Sequence, residues 1–283
     1  MNEPEENTNQ GTLYLVATPI GNLGDISRRA CQVLEEVEVV ACEDTRRTGK
    51  LLELLGLQAK RLLIANEHTE SSIGPTVVDL LAQGKDVALV SDAGTPAISD
   101  PGERLVKHVV ANEHQVSVVP GPSAAVAAVT LSGFPTKRWA MEGFLPRKGQ
   151  ERSVQLKAIG LADRTTVIFE SPKRLGKTLS DLAAACGPDR PAAVMRELTK
   201  LHEESVRGTL AELRERFSGD VKGETVIVVS AAEAQEVSDE TIINALEEEL
   251  AKGTKTSGAV TQVSIALGVQ RNRVYALAHQ KLE

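Results

Sequence analysis

VALVSDAGTPAISDPG, residues 87–102, joins an unbroken apolar run to a loop of Gly, Pro, Ser and Asp. The run at 87–90 has no polar side chain, as expected of a strand covered on both faces. Helix-length sequence follows over 102–112, so the stretch reads as strand, loop, helix. The same unit recurs outward in both directions. Further strands are predicted at 13–17, 37–41, 116–119, 166–169, 192–195 and 225–229. Helices are predicted between them at 26–36, 45–55, 75–83, 102–112 and 124–131, then at 154–159, 174–185 and 209–217. This alternation predicts an α/β fold with mostly parallel sheets. Breaks at 120–122 and 231–238 suggest an N-terminal α/β domain over 11–121, a second over 122–232 and a helical tail over 238–283. The polar residues 1–10 read as a disordered tail.

Composition narrows the function classes. The 283 residues include only four Phe, two Tyr and one Trp, too few for a base-stacking RNA platform. A formal net charge of −7 excludes a uniformly basic nucleic-acid coat. No apolar run approaches a membrane span. Cys31, Cys42 and Cys186 are scattered, which predicts neither a disulfide framework nor a zinc site and fits a cytoplasmic protein.

Ligands of open α/β sheets bind beyond the carboxyl ends of the strands. Three strand-end loops therefore draw the functional reading: 18–24 (TPIGNLG), 91–102 (SDAGTPAISDPG) and 120–125 (PGPSAA). Gly and Ala there let backbone approach a ligand, and Pro fixes the loop shape. GxG occurs nowhere, which removes the dinucleotide and kinase glycine loops. Gly176-Lys177-Thr178 lacks the upstream glycine of a phosphate loop, since Ser171 stands there. His202-Glu203 lacks the second histidine of a zinc helix, so no metal site is expected.

TPIGNLGDI, EDTRRT, SDAGTPAISDPG, PGPSA, EGFLPRK, FESPKRL and RELTKLHEE follow one another in this order. Over residues 11–232 this series resembles the small-subunit ribosomal RNA 2′-O-ribose methyltransferase I family, a branch of the tetrapyrrole (class III) methylases. Ala93-Gly94-Thr95-Pro96 is similar to the Gly-Gly-Asp-Pro loop of porphyrin methylases, with Ala93 replacing a glycine and Thr95 the aspartate. The resemblance implies two α/β domains with S-adenosylmethionine bent into the cleft between them. It implies that Pro19 closes one side of the cofactor and that Asp92, Ala93, Gly94, Thr95 and Ile98 contact it. Ser123, Ala124, Phe144, Leu145 and Glu170 would complete the pocket. It further implies a homodimer acting on a cytidine of 16S rRNA in the decoding region of the small ribosomal subunit.

A ribose hydroxyl is a poor nucleophile, so a general base or a cation stabilising the alkoxide should help. Asp44, Glu67, His68, Glu197 and Lys200 are candidates, and Asp44 and Lys200 are the two selected. Arg46 and Arg47 suit phosphate binding or a dimer contact. Basic residues also concentrate locally. Residues 137–177 hold ten Lys and Arg against four acids, and Arg147 and Lys148 fall in a loop with the composition of a backbone-gripping lid. Residues 251–283 hold five against one, including Arg271 and Arg273. There VTQVSIALGVQRNRVYALAHQKL resembles a helix-turn-helix, with Gly268 at the turn. RNA docking and helical packing or dimer support both fit that tail. The alternatives to an rRNA enzyme are a tetrapyrrole or diphthine-type methylase, and a SAM-sensing nucleic-acid-binding regulator.

Overall fold

The computed structural model describes residues 10–58, 61–233 and 238–280. The tail expected at 1–10 lies outside them apart from Gln10. Contacts gather the chain into two compact units, 1–232 and 233–283.

The first unit holds two five-stranded sheets. The first sheet comprises β1 (Thr12–Val16), β2 (Val39–Cys42), β3 (Leu62–Ile64), β4 (Val87–Val90) and β5 (Gln115–Val119). Its order is β3-β2-β4-β1-β5 and every pairing is parallel. The helices α1 (Arg28–Glu36), α2 (Thr45–Leu54), α3 (Glu70–Ala82) and α4 (Glu103–Ala111) connect the strands. Buried side chains cluster on both faces of the sheet, which is why its strands read as continuous apolar runs. β1 and β4 are neighbours, and the chain leaves them for β2 and β5, in opposite directions. That reversal opens a crevice at their carboxyl ends.

The second sheet comprises β6 (Trp139–Phe144), β7 (Thr165–Glu170), β8 (Pro191–Arg196), β9 (Glu204–Thr209) and β10 (Thr225–Val229), in the order β6-β7-β10-β8-β9. Here the parallel expectation fails. Only β6 and β7 run parallel; β10 is antiparallel to β7 and β8, and β8 to β9. The cause is β9, whose sequence ESVRGT is too polar to register as an apolar run. As an edge strand it needs no such run, and its insertion reverses the chain once more before β10. The helices α5 (Ala124–Ser132), α6 (Gln150–Leu161), α7 (Pro172–Cys186) and α8 (Leu210–Arg216) complete this half. In α7, Leu175, Leu179 and Leu182 are fully buried at i, i+4 and i+7. Each such side chain contributes about 1.5–3 kcal/mol on burial. α5 packs on the opposite face of this sheet together with Ile20 from the loop after β1.

Local signals explain the element ends. Ser27 and Ser123 cap α1 and α5, and Thr209 with Glu212 forms a full capping box on α8. α3 starts at Glu70, five residues before the predicted start at 75, and carries Pro75 inside it. Asn66 makes the earlier start possible, because its side chain accepts the His68 and Thr69 N–H groups just ahead of the first turn.

The second unit is three helices: α9 (Asp239–Ala251), α10 (Thr256–Leu267) and α11 (Arg271–Gln280). Ile242, Leu246, Val260, Val263 and Val274 form its core. Gly268 ends α10 in the left-handed conformation (φ 63°), the turn anticipated from sequence. No helix among the described residues is long and apolar enough to cross a membrane.

A candidate cofactor cavity at the strand ends

The loops after β1, β4 and β5 are laced together. Thr18 and Gly94 exchange backbone hydrogen bonds of 2.9 and 3.1 Å, and Thr95 Oγ1 donates to the Pro122 carbonyl at 3.2 Å. Gly94 has φ +82°, and a Cβ there would sit 3.3 Å from Ile20. The loop after β4 is also strained, with Ala97 and Ser99 at φ 67° and 61°. A left-handed non-glycine residue costs about 1–3 kcal/mol and persists only where the surroundings impose it. One of those constraints is Glu70. Its buried Oε1 accepts the backbone N–H groups of Gly102, Arg104 and Leu105 at the start of α4. Glu70→Gln is expected to cost about 1–3 kcal/mol, because the amide oxygen still accepts the three N–H groups but without the charge that strengthens those bonds. Urea denaturation measures it.

The facing wall comes from the second sheet. The loop after β8 holds Glu197 and Thr199 at φ 51° and 65°, and the loop before β10 supplies Glu224. Glu197 Oε1 accepts the Glu224 N–H at 2.9 Å and Lys200 Nζ at 2.9 Å, while Glu224 Oε2 accepts Lys200 Nζ at 3.0 Å. The Lys200 stem lies over Gly21 (φ +152°), where a Cβ would come within 2.4 Å of it. Between the walls is a cavity of about 370 Å³, within the range of about 300–1,000 Å³ usual for small-molecule sites.

Ala93, Gly94, Thr95, Ile98, Ser123, Ala124, Phe144 and Glu170, all singled out from sequence, line this cavity. Phe144 is 56% exposed and tilts at 60° against Phe169, ring centroids 5.7 Å apart. Three expected cofactor residues do not line it. Ile20 occupies the wall where Pro19 was expected. Asp92 turns away to Arg47 at 3.0 Å. Leu145 is buried in the core beneath the second sheet. Glu170 lines the cavity, but its carboxylate is engaged elsewhere: it accepts the Ser171 N–H at 2.8 Å and the Thr178 hydroxyl at 2.6 Å and pairs with Arg174.

The two selected catalytic residues part company. Asp44 is outside the cavity lining and caps α2, accepting the Arg46 N–H at 2.8 Å and its guanidinium at 2.7 Å. These bonds hold its carboxyl well below the usual carboxylate range, which makes it a poor proton acceptor. The geometry thus corrects its assignment to a capping role, with Arg46 as its partner. For Lys200, partial burial disfavours the ammonium, yet the bonds to Glu197 and Glu224 outweigh it and leave the group raised. Lys200 is therefore a fixed cation beside a lining residue and not a base. Those bonds also lower Glu197.

The basic lid is smaller than its composition suggested. Part of it, Trp139–Phe144, is strand β6. Arg152 is buried against Asp181 and Thr178, and Arg138 pairs with Asp163. Arg147 and Lys148 remain exposed and have no ion-pair partner among the described residues. In the second unit Arg271 is exposed, while Arg273 pairs with Asp239 at 2.6 Å and ties α11 to α9. Sequence reasoning passed over Ile20, Met195, Leu198 and Glu224, whose places in the wall depend on how the two halves meet. It also passed over Asp100, another lining residue. The signal for Asp100 was at hand, since it stands in the longest of the three strand-end loops.

Two sheets, one parallel and one mixed, with a cavity at the strand ends between them define a tetrapyrrole methylase. The model of Tetrapyrrole (Corrin/Porphyrin) Methylases matches residues 12–214. A uroporphyrin-III C-methyltransferase from Thermus thermophilus, complexed with S-adenosylhomocysteine, has the same fold. Its TM-score is 0.56 at 20% identity, over 78% of this chain and 97% of that one. Within that class the sequence is more specific. It is 42% identical to the ribosomal RNA small subunit methyltransferase I of Mesorhizobium japonicum, over 93% of this chain and 90% of the relative. The protein of that name from Halalkalibacterium halodurans is 39% identical over 98% of both. The chain belongs to the ribosomal RNA small subunit methyltransferase I family.

Proposed function

We propose that this protein transfers the methyl group of S-adenosylmethionine to the ribose 2′-hydroxyl of a cytidine in 16S rRNA, in the decoding region of the small ribosomal subunit. The observation that carries the reading is the pairing of an apolar-walled cavity with a fixed ammonium, Lys200, beside its lining residue Glu224. The cavity fits the donor: Gly94 leaves room that a side chain would take, and the apolar lining with a few carboxylates among it suits a sulfonium carrying apolar substituents. When bound, S-adenosylmethionine supplies an already activated methyl group. The protein's work is then alignment, exclusion of water and management of one proton. Backbone at Ala93, Gly94 and Thr95 holds the methionine and ribose parts. Ile98, Ser123 and Ala124 line the same side, and Phe144 covers an exposed face. Lys200 stabilises the alkoxide that develops on the acceptor.

Arg147 and Lys148, beside Phe144, grip the RNA backbone, and Arg271 on the C-terminal unit adds a docking contact. The active species is a homodimer in the cytoplasm. Specificity of this kind reads backbone, hydroxyl and local shape, so it needs few aromatic side chains. Incubating the protein with methyl-labelled S-adenosylmethionine and unmodified small subunits tests the reading. Label should enter rRNA and block alkaline cleavage at one nucleotide. Label on a base, or none in rRNA, would overturn it. Replacing both Arg147 and Lys148 by alanine should weaken subunit binding and flatten its dependence on log salt by about 1.4–1.8 in slope. Filter binding across a salt series reads this out.

A further inference from the structure

The C-terminal unit is divided by charge. α9 carries five acidic residues, Asp239, Glu240, Glu247, Glu248 and Glu249, whereas residues 256–280, which hold α10 and α11, contain no Asp or Glu. Arg273 is drawn to Asp239 on α9. Arg271 turns instead to α10, where its Nε donates to the Thr261 hydroxyl at 3.4 Å. Helical spacing extends that contact into a surface. Ile265 stands one turn beyond Thr261, and Tyr275 and His279 stand one and two turns beyond Arg271. All three are exposed, Ile265 by 77% and Tyr275 by 47%. The Tyr275 and His279 ring centroids are 4.4 Å apart, with the planes tilted at 56°.

We propose that this face binds an unpaired nucleotide of the acceptor rRNA, its base on Tyr275 and Ile265 and its phosphate on Arg271. The inference rests on the rRNA reading given above and adds a contact with that substrate outside the methyl-transfer cavity.

The chemistry of the face selects this partner. A surface with cations and no carboxylates attracts a polyanion. The exposed isoleucine and tyrosine offer apolar area that the flat face of a base can cover and that a phosphate contact alone leaves in water. The paired alternative fails on shape. To act as a recognition helix, α11 would enter a major groove, and in A-form RNA that groove is too deep and narrow for side chains to read. An unpaired nucleotide presents its base and its phosphate together. His279 buttresses the Tyr275 ring, so less side-chain freedom is lost when a base lands on it. One such ring anchors a single nucleotide, which a chain with two tyrosines can supply.

Tyr275→Ala in the full-length protein, assayed by filter binding to unmodified small subunits, tests this. The Kd should rise about tenfold, as on removal of one stacking side chain. The slope against log salt should stay that of the parent, because stacking releases no counterions. Arg271→Ala should instead lower that slope by about 0.7. Tyr275→Trp keeps a ring and should bind within about threefold of the parent. A short single-stranded RNA should compete for the protein better than the same sequence paired as an RNA or a DNA duplex, and Tyr275→Ala should lose that preference. Calorimetric affinity for S-adenosylhomocysteine and Tm serve as folding controls. A folded Tyr275→Ala protein that binds subunits within about twofold of the parent overturns the inference, as does a preference of the parent for either duplex. Conversion of a dimeric parent to a monomeric Tyr275→Ala variant would assign the face to a second copy of this chain and overturn it equally. In each of these cases label still enters rRNA with the parent. Failure of the parent to label rRNA overturns the rRNA reading itself, and the inference with it.

Discussion

Gly94→Val is expected to abolish cofactor binding, with affinity for S-adenosylhomocysteine falling by more than about 100-fold, or about 2.7 kcal/mol. Two independent effects act at this position. The backbone is left-handed, at φ +82°, a conformation that a β-branched residue avoids. The missing Cβ is also needed as space: it would stand 3.3 Å from Ile20 Cγ2 and 3.7 Å from the Pro122 carbonyl, on the cavity side of the loop. The valine methyls therefore enter the volume assigned to the donor, or the loop shifts and breaks the Thr18–Gly94 backbone bridge. Gly94→Ala separates the two effects, because it keeps the conformational strain and adds only one carbon. Calorimetric titration, with Tm as the folding control, measures both variants. A folded valine variant that binds S-adenosylhomocysteine within fivefold of the parent would show that the donor does not lie against this loop.

Most of the first sheet was legible because parallel strands covered on both faces leave an unbroken apolar signal, as in VALV at 87–90. The second sheet was less so. β9 is mostly polar and partly charged, and β6 carries Glu142 and a bulge between Met141 and Gly143, so neither produces such a run. The cavity shows the same division. Residues whose backbone shapes a strand-end loop, such as Gly94, Thr95 and Ser123, declare themselves by composition. Side-chain roles depend on partners that sequence spacing does not reveal. Asp44 looked free in EDTRRT, but the N–H groups of its own helix claim it. Arg152 looked like part of a basic surface and is buried on Asp181. Glu170 lines the cavity, but its carboxylate is spent on the first turns of α7. In each case a nearby donor or acceptor captured the charge.

Lys200→Met is expected to lower kcat by about 100- to 1,000-fold, the loss typical of removing one donor to a developing oxyanion. Donor affinity should stay within about threefold. The ammonium sits 2.9 Å from Glu197 and 3.0 Å from Glu224, and these bonds keep it charged at neutral pH. It therefore cannot serve by accepting the acceptor's proton. What it offers is a positive charge whose position is set before the reaction begins, on a loop held by left-handed Glu197 and Thr199. The same pairing gives the substitution a structural cost, since Glu197 and Glu224 would face each other without their shared cation. Glu224→Gln in the Lys200→Met background relieves that repulsion, so Tm should recover while kcat does not. Lys200→Arg should retain part of the rate, as it keeps the charge and alters its reach. Should the double variant regain the parent's kcat together with its Tm, Lys200 would be a strut of the cavity wall and the alkoxide would need another partner.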